Sequence, residues 1–288
     1  MVAMTTLITG ATGKVGSRFA RRMLAAGEPV RLLVRDPNGV VPPGANRVVA
    51  DLRDDAAVRR SLRGVTAIVH VASSFRAGST DELAEFDVAG TEALATAALD
   101  AGITRFVYTS TNRVYEGCDY GRPAVEDDPV GTDLAPYPAA KAEVERRLLG
   151  LHQRRGLDVR IVRLPFVYGD GDPHVVEIAE MLAAQPPHRR LVSGHHADVG
   201  QALLRALRAE GVGGRIYNVS DDAPMTFYEI CQLHQLPLPE SAPRTRGTVP
   251  PREPSPWQHI VSTARIRREL GFRPLYPTMA SAHDAGAL

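Results

Sequence analysis

Lysine is almost absent from this chain of 288 residues: of its 34 basic side chains only Lys14 and Lys141 are lysines, and arginine serves everywhere else. Cysteine is too scarce for a disulfide framework or a thiolate metal site, since Cys118 and Cys231 stand alone and far apart. His195-His196 has no cysteine neighbour and lacks the helical spacing of a zinc pair, so no metal is expected. An excess of one charge is missing too. The 34 basic residues face 33 acidic ones, leaving no bulk field to attract nucleic acid or an anionic membrane. The arginine-dense stretches Arg59-Arg60, His188-Arg189-Arg190 and Arg265–Arg268 therefore read as solvated helix faces. No apolar run approaches membrane-spanning length. The N-terminus passes almost at once into Thr6-Leu7-Ile8-Thr9-Gly10, a buried strand entering a turn rather than a cleavable leader. A cytoplasmic protein is expected. Gly-x-Ser-x-Gly is absent, which argues against a serine hydrolase, and no internal repeat is visible.

What is present is alternation. Short apolar strands at Thr6–Thr9, Val30–Val34, Arg47–Ala50, Thr66–Val71, Arg105–Thr109 and Asp158–Arg163 are separated by helical stretches at Ser17–Ala26, Asp55–Leu62, Asp81–Ala101 and Pro138–Arg155. Strands joined by helices of this length imply crossovers and a parallel sheet covered on both faces, an α/β doubly wound Rossmann-type fold over residues 1–164. After Arg163 proline becomes frequent and the helices shorten, with His195–Arg208, Thr226–Leu233 and Ser262–Leu270 as helices and Leu236–Pro256 as an extended loop. Residues 165–288 read as a smaller substrate-binding domain, from which about 191–219, including a strand at Ile216–Val219, returns to the sheet.

Between the first strand and its helix lies Thr9-Gly10-Ala11-Thr12-Gly13-Lys14-Val15-Gly16. Glycines there permit a tight turn and close approach of backbone to a pyrophosphate, and the helix N-terminus offers free N–H groups to the phosphates. This is a dinucleotide site, to which Gly10, Thr12, Gly13, Lys14, Val15 and Gly16 are assigned. The second strand ends in Val34-Arg35-Asp36. A guanidinium suits the 2′-phosphate of NADP and a carboxylate the ribose hydroxyls of NAD, so Arg35 favours NADP(H) while Asp36 keeps NAD(H) open. Asp51-Leu52, just past the third strand, is placed at the adenine, where Asp51 also suits a helix cap.

Tyr137-Pro138-Ala139-Ala140-Lys141 opens a helix, and residues four apart share one face. A nearby ammonium lowers a phenol from about 10 toward the working range of a general acid. In a chain that otherwise avoids lysine, Lys141 signals a need for a compact, adjustable charge that arginine cannot replace. Upstream, Tyr108-Thr109-Ser110-Thr111-Asn112 brings hydroxyls to the carboxyl edge of the sheet, where doubly wound folds bind ligands.

With these residues in place, the chain resembles the extended short-chain dehydrogenase/reductases of the NAD(P)-dependent epimerase/dehydratase group along nearly its whole length. The likeness rests on Thr9-Gly10-x-x-Gly13-x-x-Gly16, Asp51-Leu52, Val69-His70-Val71-Ala72, Ser110-Thr111-x-x-Val114-Tyr115, Tyr137 with Lys141, Arg163-Leu164-Pro165-Phe166-Val167-Tyr168-Gly169, His195-x-x-Asp198-Val199 and Leu270-Gly271-Phe272-Arg273-Pro274. It implies that Val71, Ala72 and Ser73 lie under the cofactor and that Leu164, Pro165 and Val167 lie by its nicotinamide. It also implies that Thr111, Tyr137 and Lys141 are catalytic, with Ser110, Asn112, Phe166 and His174 toward the substrate. A homodimer on the helices at Asp81–Ala101 and Pro138–Arg155 is a family expectation. Departures narrow the activity. Asn112 and Arg113 stand where sugar-nucleotide dehydratases of the family carry an Asp-Glu pair, and Phe166 where nucleotide-sugar enzymes often carry asparagine. The expectation is an NADPH-dependent ketoreductase of a small molecule or non-nucleotide sugar. An epimerase with retained cofactor is second, and a non-catalytic cofactor-sensing regulator last. Trp257 and Tyr276 are open between lining the pocket and packing the core, and Asp170, Asp172 and His174 between a polar turn and substrate contact.

Overall fold

The computed structural model describes residues 5–74, 80–239, 257 and 259–288; of the proline-rich stretch Leu236–Pro256, residues 240–256 lie outside the described residues. In chain order the first half runs β1 (Thr6–Thr9), α1 (Lys14–Ala25), β2 (Val30–Val34), β3 (Asn46–Val49), α2 (Asp55–Ser61), β4 (Ala67–His70), α3 (Thr80–Glu82), a π-helical stretch (Leu83–Ala89), α4 (Gly90–Asp100), β5 (Arg105–Thr111), a 3₁₀ turn (Asn112–Tyr115), α5 (Pro136–Arg155) and β6 (Asp158–Leu164). The second half runs β7 (Phe166–Tyr168), α6 (His174–Glu177), α7 (Ala179–Ala183), β8 (Ser193–His195), α8 (His196–Arg208), β9 (Arg215–Asn218), α9 (Phe227–Leu233), α10 (Ala264–Leu270) and α11 (Met279–Asp284).

Seven strands form one parallel sheet in the order β3-β2-β1-β4-β5-β6-β9. The strand order reverses between β1 and β4, and a crevice opens there at the carboxyl ends of the strands. Alternation along each strand builds two cores. Leu7, Ile68, Phe106 and Ile161 point to the face covered by α2, α4 and α5. Their neighbours Ile8, Val69, Val107 and Val162 point to the face covered by α1, α8 and α10. Buried on both sides, these strands carry apolar side chains in succession instead of alternating with polar ones.

Local chemistry sets several boundaries. Pro136 at the start of α5 occupies a position with no hydrogen bond to lose, and Gly156 ends the helix in the left-handed region. That start lies two residues before the helix expected from sequence, so Tyr137 sits in the first helical turn. Asp54 caps α2 by accepting from the Ala57 amide, and Thr226 with Glu229 forms a capping box on α9.

The helix expected as one piece over Asp81–Ala101 is instead interrupted by the π-helical stretch. Such a wide turn inserts a residue and rotates the face that follows; here Asp87 lies buried within it. The pairing of β7 with β8 in a separate two-stranded sheet was not expected either: each has three residues, too few for a period to show. A third apolar cluster, with Tyr168, Leu182, Phe227, Ile230 and Met279, forms apart from these two. Among the described residues no helix is long and apolar enough to cross a membrane.

Candidate active site

The loop between β1 and α1 shows why its glycines are needed. Gly10 takes φ +69°, and a Cβ there would lie 2.6 Å from the Ala72 backbone nitrogen, while one on Gly16 would collide with the Gly10 carbonyl. Gly13 has only the Gly10 carbonyl nearby, at 3.3 Å, and with Thr12 it is exposed, so the outer side of the loop is open. Gly13 starts α1 with no side-chain cap, leaving helical N–H groups for an anion. A dinucleotide pyrophosphate fits this cradle, with Val15 in the first turn behind it.

A buried network fixes the loop against β4. The Thr9 hydroxyl accepts from the Val71 and Ala72 amides at 3.2 Å each, so its own proton goes to His70 Nδ1 at 2.8 Å. His70 must then carry its proton on Nε2 and donate it to Thr91 Oγ1 at 2.9 Å. Burial, with the Lys141 charge added, pushes His70 down to about 3, so it stays neutral in this role.

Lys14 is placed differently from its expected phosphate contact. Its ammonium is held by Asp172 at 2.8 Å and Glu177 at 2.7 Å, and Asp172 also pairs with His196 at 2.8 Å. This lysine ties the glycine loop to the segment after β7. The turn around Asp170 and Asp172 is thereby structural, since Arg18 also binds the Asp170 carbonyl.

At the end of β2 Arg35 is exposed, its guanidinium 5.8 Å from the centre of the Phe86 ring. Asp36 spends one carboxylate oxygen on the Asn38 amide at 2.8 Å. Asp51 receives two bonds from the Arg53 guanidinium, and this hydrogen bonding holds its carboxyl down at about 2. Leu52 faces the core rather than the crevice.

On the other side of the crevice Tyr137 and Lys141 share one face of α5. Lys141 is buried, donates to the Thr109 carbonyl at 3.1 Å, and lies 4.9 Å from the Tyr108 ring centre and 5.8 Å from that of Tyr137. Burial pushes its ammonium down to about 8, against the pull of Asp87 and Glu145. Burial, then the Asp87 charge, pushes the Tyr137 phenol up, with Arg113 opposing. The phenol therefore rests protonated, as a proton donor must. Thr111 caps the 3₁₀ turn by accepting the Arg113 amide at 3.2 Å, which leaves its own proton to give to a substrate oxygen.

The residues placed toward the substrate divide. Phe166 stacks on His174 with ring centres 4.6 Å apart. Asn112 instead donates to the Val219 carbonyl at 2.8 Å, and the Ser110 hydroxyl is buried without a partner among the described residues. Leu164 and Val167 are buried in the core, and Pro165 packs against Gly194. His195 is structural, accepting the Ala197 amide and bonding the Ala287 carbonyl. Tyr276 packs on that imidazole at 4.3 Å, whereas Trp257 lines a cavity of about 560 Å³ with Arg190, Asp222 and Val261. Arg113, where dehydratases have a carboxylate, is paired with Glu116 at 3.1 Å.

Two residues of this site carry no sequence-level assignment. His70 lies in a motif but gave no hint of its hydrogen bonds. Asp87 sits between Phe86 and Val88, and the only available signal was an acid on the inward side of a helical run.

A glycine cradle at the strand crossover and a helical Tyr-Lys pair thus stand on the two sides of one crevice. The profile of the NAD dependent epimerase/dehydratase family matches residues 6–220. The chain belongs to this family. It is an extended short-chain dehydrogenase/reductase, an NAD(P)-dependent enzyme acting on CH–OH and C=O groups. Similar proteins include a dTDP-glucose 4,6-dehydratase of Streptomyces griseus, 30% identical over 94% of this chain and 90% of its own. A 4-hydroxy-2-methyl-3-oxo-4-farnesyl-3,4-dihydroquinoline-1-oxide ketoreductase of Stigmatella aurantiaca is 31% identical over 97% of this chain and 79% of its own. The structure of a Thermus thermophilus UDP-glucose 4-epimerase in complex with NAD superposes with TM-score 0.77 at 26% identity, covering 99% of this chain and 100% of the other.

Proposed function

We propose that this enzyme is an NADPH-dependent ketoreductase acting on a small molecule or a non-nucleotide sugar or natural-product intermediate. The observation that carries the reading is the content of the site: a helical proton donor, Tyr137, a Thr111 hydroxyl with its proton left to give, and no carboxylate at 112 or 113 for eliminating water. A reduced nicotinamide, when bound, would supply the hydride that the carbonyl carbon takes up. Tyr137 gives its proton to the carbonyl oxygen, which Thr111 orients by a hydrogen bond. Lys141 stabilises the phenolate left behind and grips the nicotinamide ribose. Gly10, Gly13 and the start of α1 hold the pyrophosphate, and Val71, Ala72 and Ser73 underlie the cofactor. Replacement of the asparagine of nucleotide-sugar enzymes by Phe166, stacked on His174, supports a smaller or more apolar substrate.

Arg35 supports NADPH, because its guanidinium is exposed at the end of β2, where a 2′-phosphate would be met, while Asp36 is bonded to the Asn38 amide of its own loop. Arg35→Ala is expected to lower NADPH affinity tenfold or more, about 1.4 kcal/mol, and leave NADH affinity unchanged, as read by nucleotide fluorescence. Equal loss for both nucleotides would remove Arg35 as the discriminator.

The reaction itself is tested by following loss of reduced-nicotinamide absorbance with a panel of 3-oxo acids and cyclic ketones, with UDP-galactose as the epimerase control. Ketone-dependent oxidation of NADPH is expected. Conversion of UDP-galactose without net nucleotide oxidation would favour the epimerase. A homodimer through the outer faces of α4 and α5 is part of the same proposal; light scattering should give twice the chain mass.

A further inference from the structure

A single buried carboxylate joins the cofactor side of the crevice to the substrate side. Asp172, 9% exposed, lies in the turn between β7 and α6. Its Oδ1 accepts from the Lys14 ammonium at 2.8 Å and from the His174 backbone amide at 3.0 Å, and its Oδ2 accepts from His196 Nε2 at 2.8 Å. Lys14, His174 and His196 are the first residues of α1, α6 and α8, so three helix starts meet on one side chain.

The charges at this junction are simple. Burial would raise the Asp172 carboxyl, but its bonds to Lys14 and His196 outweigh burial and hold it below the usual carboxylate range. Burial pushes His196 down to about 4, so it is neutral and donates its Nε2 proton to the ionised acid. Lys14 is then the bonded counter-charge, with the Arg18 guanidinium farther off at 4.0 Å. A buried carboxylate is costly without such a partner. In a chain that uses arginine nearly everywhere else, lysine here is a compact charge that can share one carboxylate oxygen with a backbone amide.

The two donors on Oδ1 serve different ends of the crevice. Lys14 directly follows Gly13 in the pyrophosphate cradle, whereas His174 stacks on Phe166 with ring centres 4.6 Å apart. We propose that Asp172 is a positioning residue: through Lys14 and His174 it holds the aromatic pair that meets the substrate in register with the bound dinucleotide, and so couples cofactor occupancy to substrate binding. A dinucleotide that orders the start of α1 would, through this bond, also order the turn that carries His174. The role rests on the proposed function for its substrate side, while the link between the three helix starts stands by itself.

Hydrogen exchange of the whole protein, read by mass spectrometry, tests the link without any substrate. NADPH or NADH, whichever binds, should slow exchange in wild-type peptides covering residues 169–177. In Asp172→Asn these peptides should exchange about tenfold faster without nucleotide, as for a lost bond to a charged group, and should no longer respond to it. With an accepted ketone, Asp172→Asn should raise KM about tenfold and leave kcat nearly unchanged, whereas a residue that only stabilised the turn would leave the KM of the folded enzyme in place. Lys14→Met should reproduce the rise in KM, and the double variant should add little to either single change. Wild-type exchange at 169–177 that ignores nucleotide would overturn the proposal, as would an equal response in folded Asp172→Asn or KM effects of the two variants that simply multiply. Should Asp172→Asn not fold, Lys14→Met carries the same exchange and KM readings. Should no ketone be turned over, the reductase reading fails and the exchange result still decides the link.

Discussion

Replacing Tyr137 by phenylalanine should reduce kcat by about 10²–10⁴-fold, the range contributed by a positioned acid or base, with nucleotide affinity nearly unchanged. Tyr137 is half-buried, its phenol is protonated beside Lys141, and its ring packs where phenylalanine also fits. The loss should therefore fall on proton transfer and not on the fold. Steady-state kinetics with an accepted ketone, alongside fluorescence titration of NADPH, separates the two. A variant retaining more than about a tenth of wild-type kcat would remove Tyr137 as the acid. Reductase turnover should also decline as pH rises through about 8, where Lys141 loses its charge, because a neutral amine no longer stabilises the phenolate.

Glu145→Ala should be the most destabilising single change outside the catalytic set. Arg163 is 2% and Glu145 4% exposed, and the guanidinium reaches the carboxylate through two bonds, at 2.9 and 2.6 Å. Arg163 also donates to the Tyr115 hydroxyl, which in turn donates to the Val125 carbonyl at 3.0 Å. Removing the acid leaves a guanidinium buried in the sheet–helix layer without its counter-charge, a loss of about 3–5 kcal/mol. Thermal denaturation should register a drop on the order of 10 °C for a chain of this size. A shift of only about a degree would mean that water or Tyr115 alone satisfies Arg163.

The parallel sheet was legible because its strands are short, buried on both faces and separated by helices long enough to cross over. Val30–Val34 was bounded correctly from composition alone. The glycine loop and the Tyr-Lys pair were legible because each is a local pattern whose chemistry needs specific residues at fixed spacing. What escaped is long-range. Lys14 was expected at phosphate, and nothing near it in sequence announces that Asp172 and Glu177 approach from about 160 residues away. The pairing of Phe166–Tyr168 with Ser193–His195 carries too few residues to show a period. Nothing around Asp87 in the sequence announces that, within the π-helical stretch, it meets Ser73 and Ser74. Loop residues and single buried acids depend on partners that only the folded chain supplies.

The most direct test of the proposed exchange of NADPH, taken up, oxidised and released, is to denature the purified protein and identify what it releases. Protein that yields well under one nucleotide per chain, and that when emptied binds NADPH at least tenfold more tightly than NADH, is the predicted result. One equivalent of tightly held NAD per chain would contradict it and make the epimerase the better account.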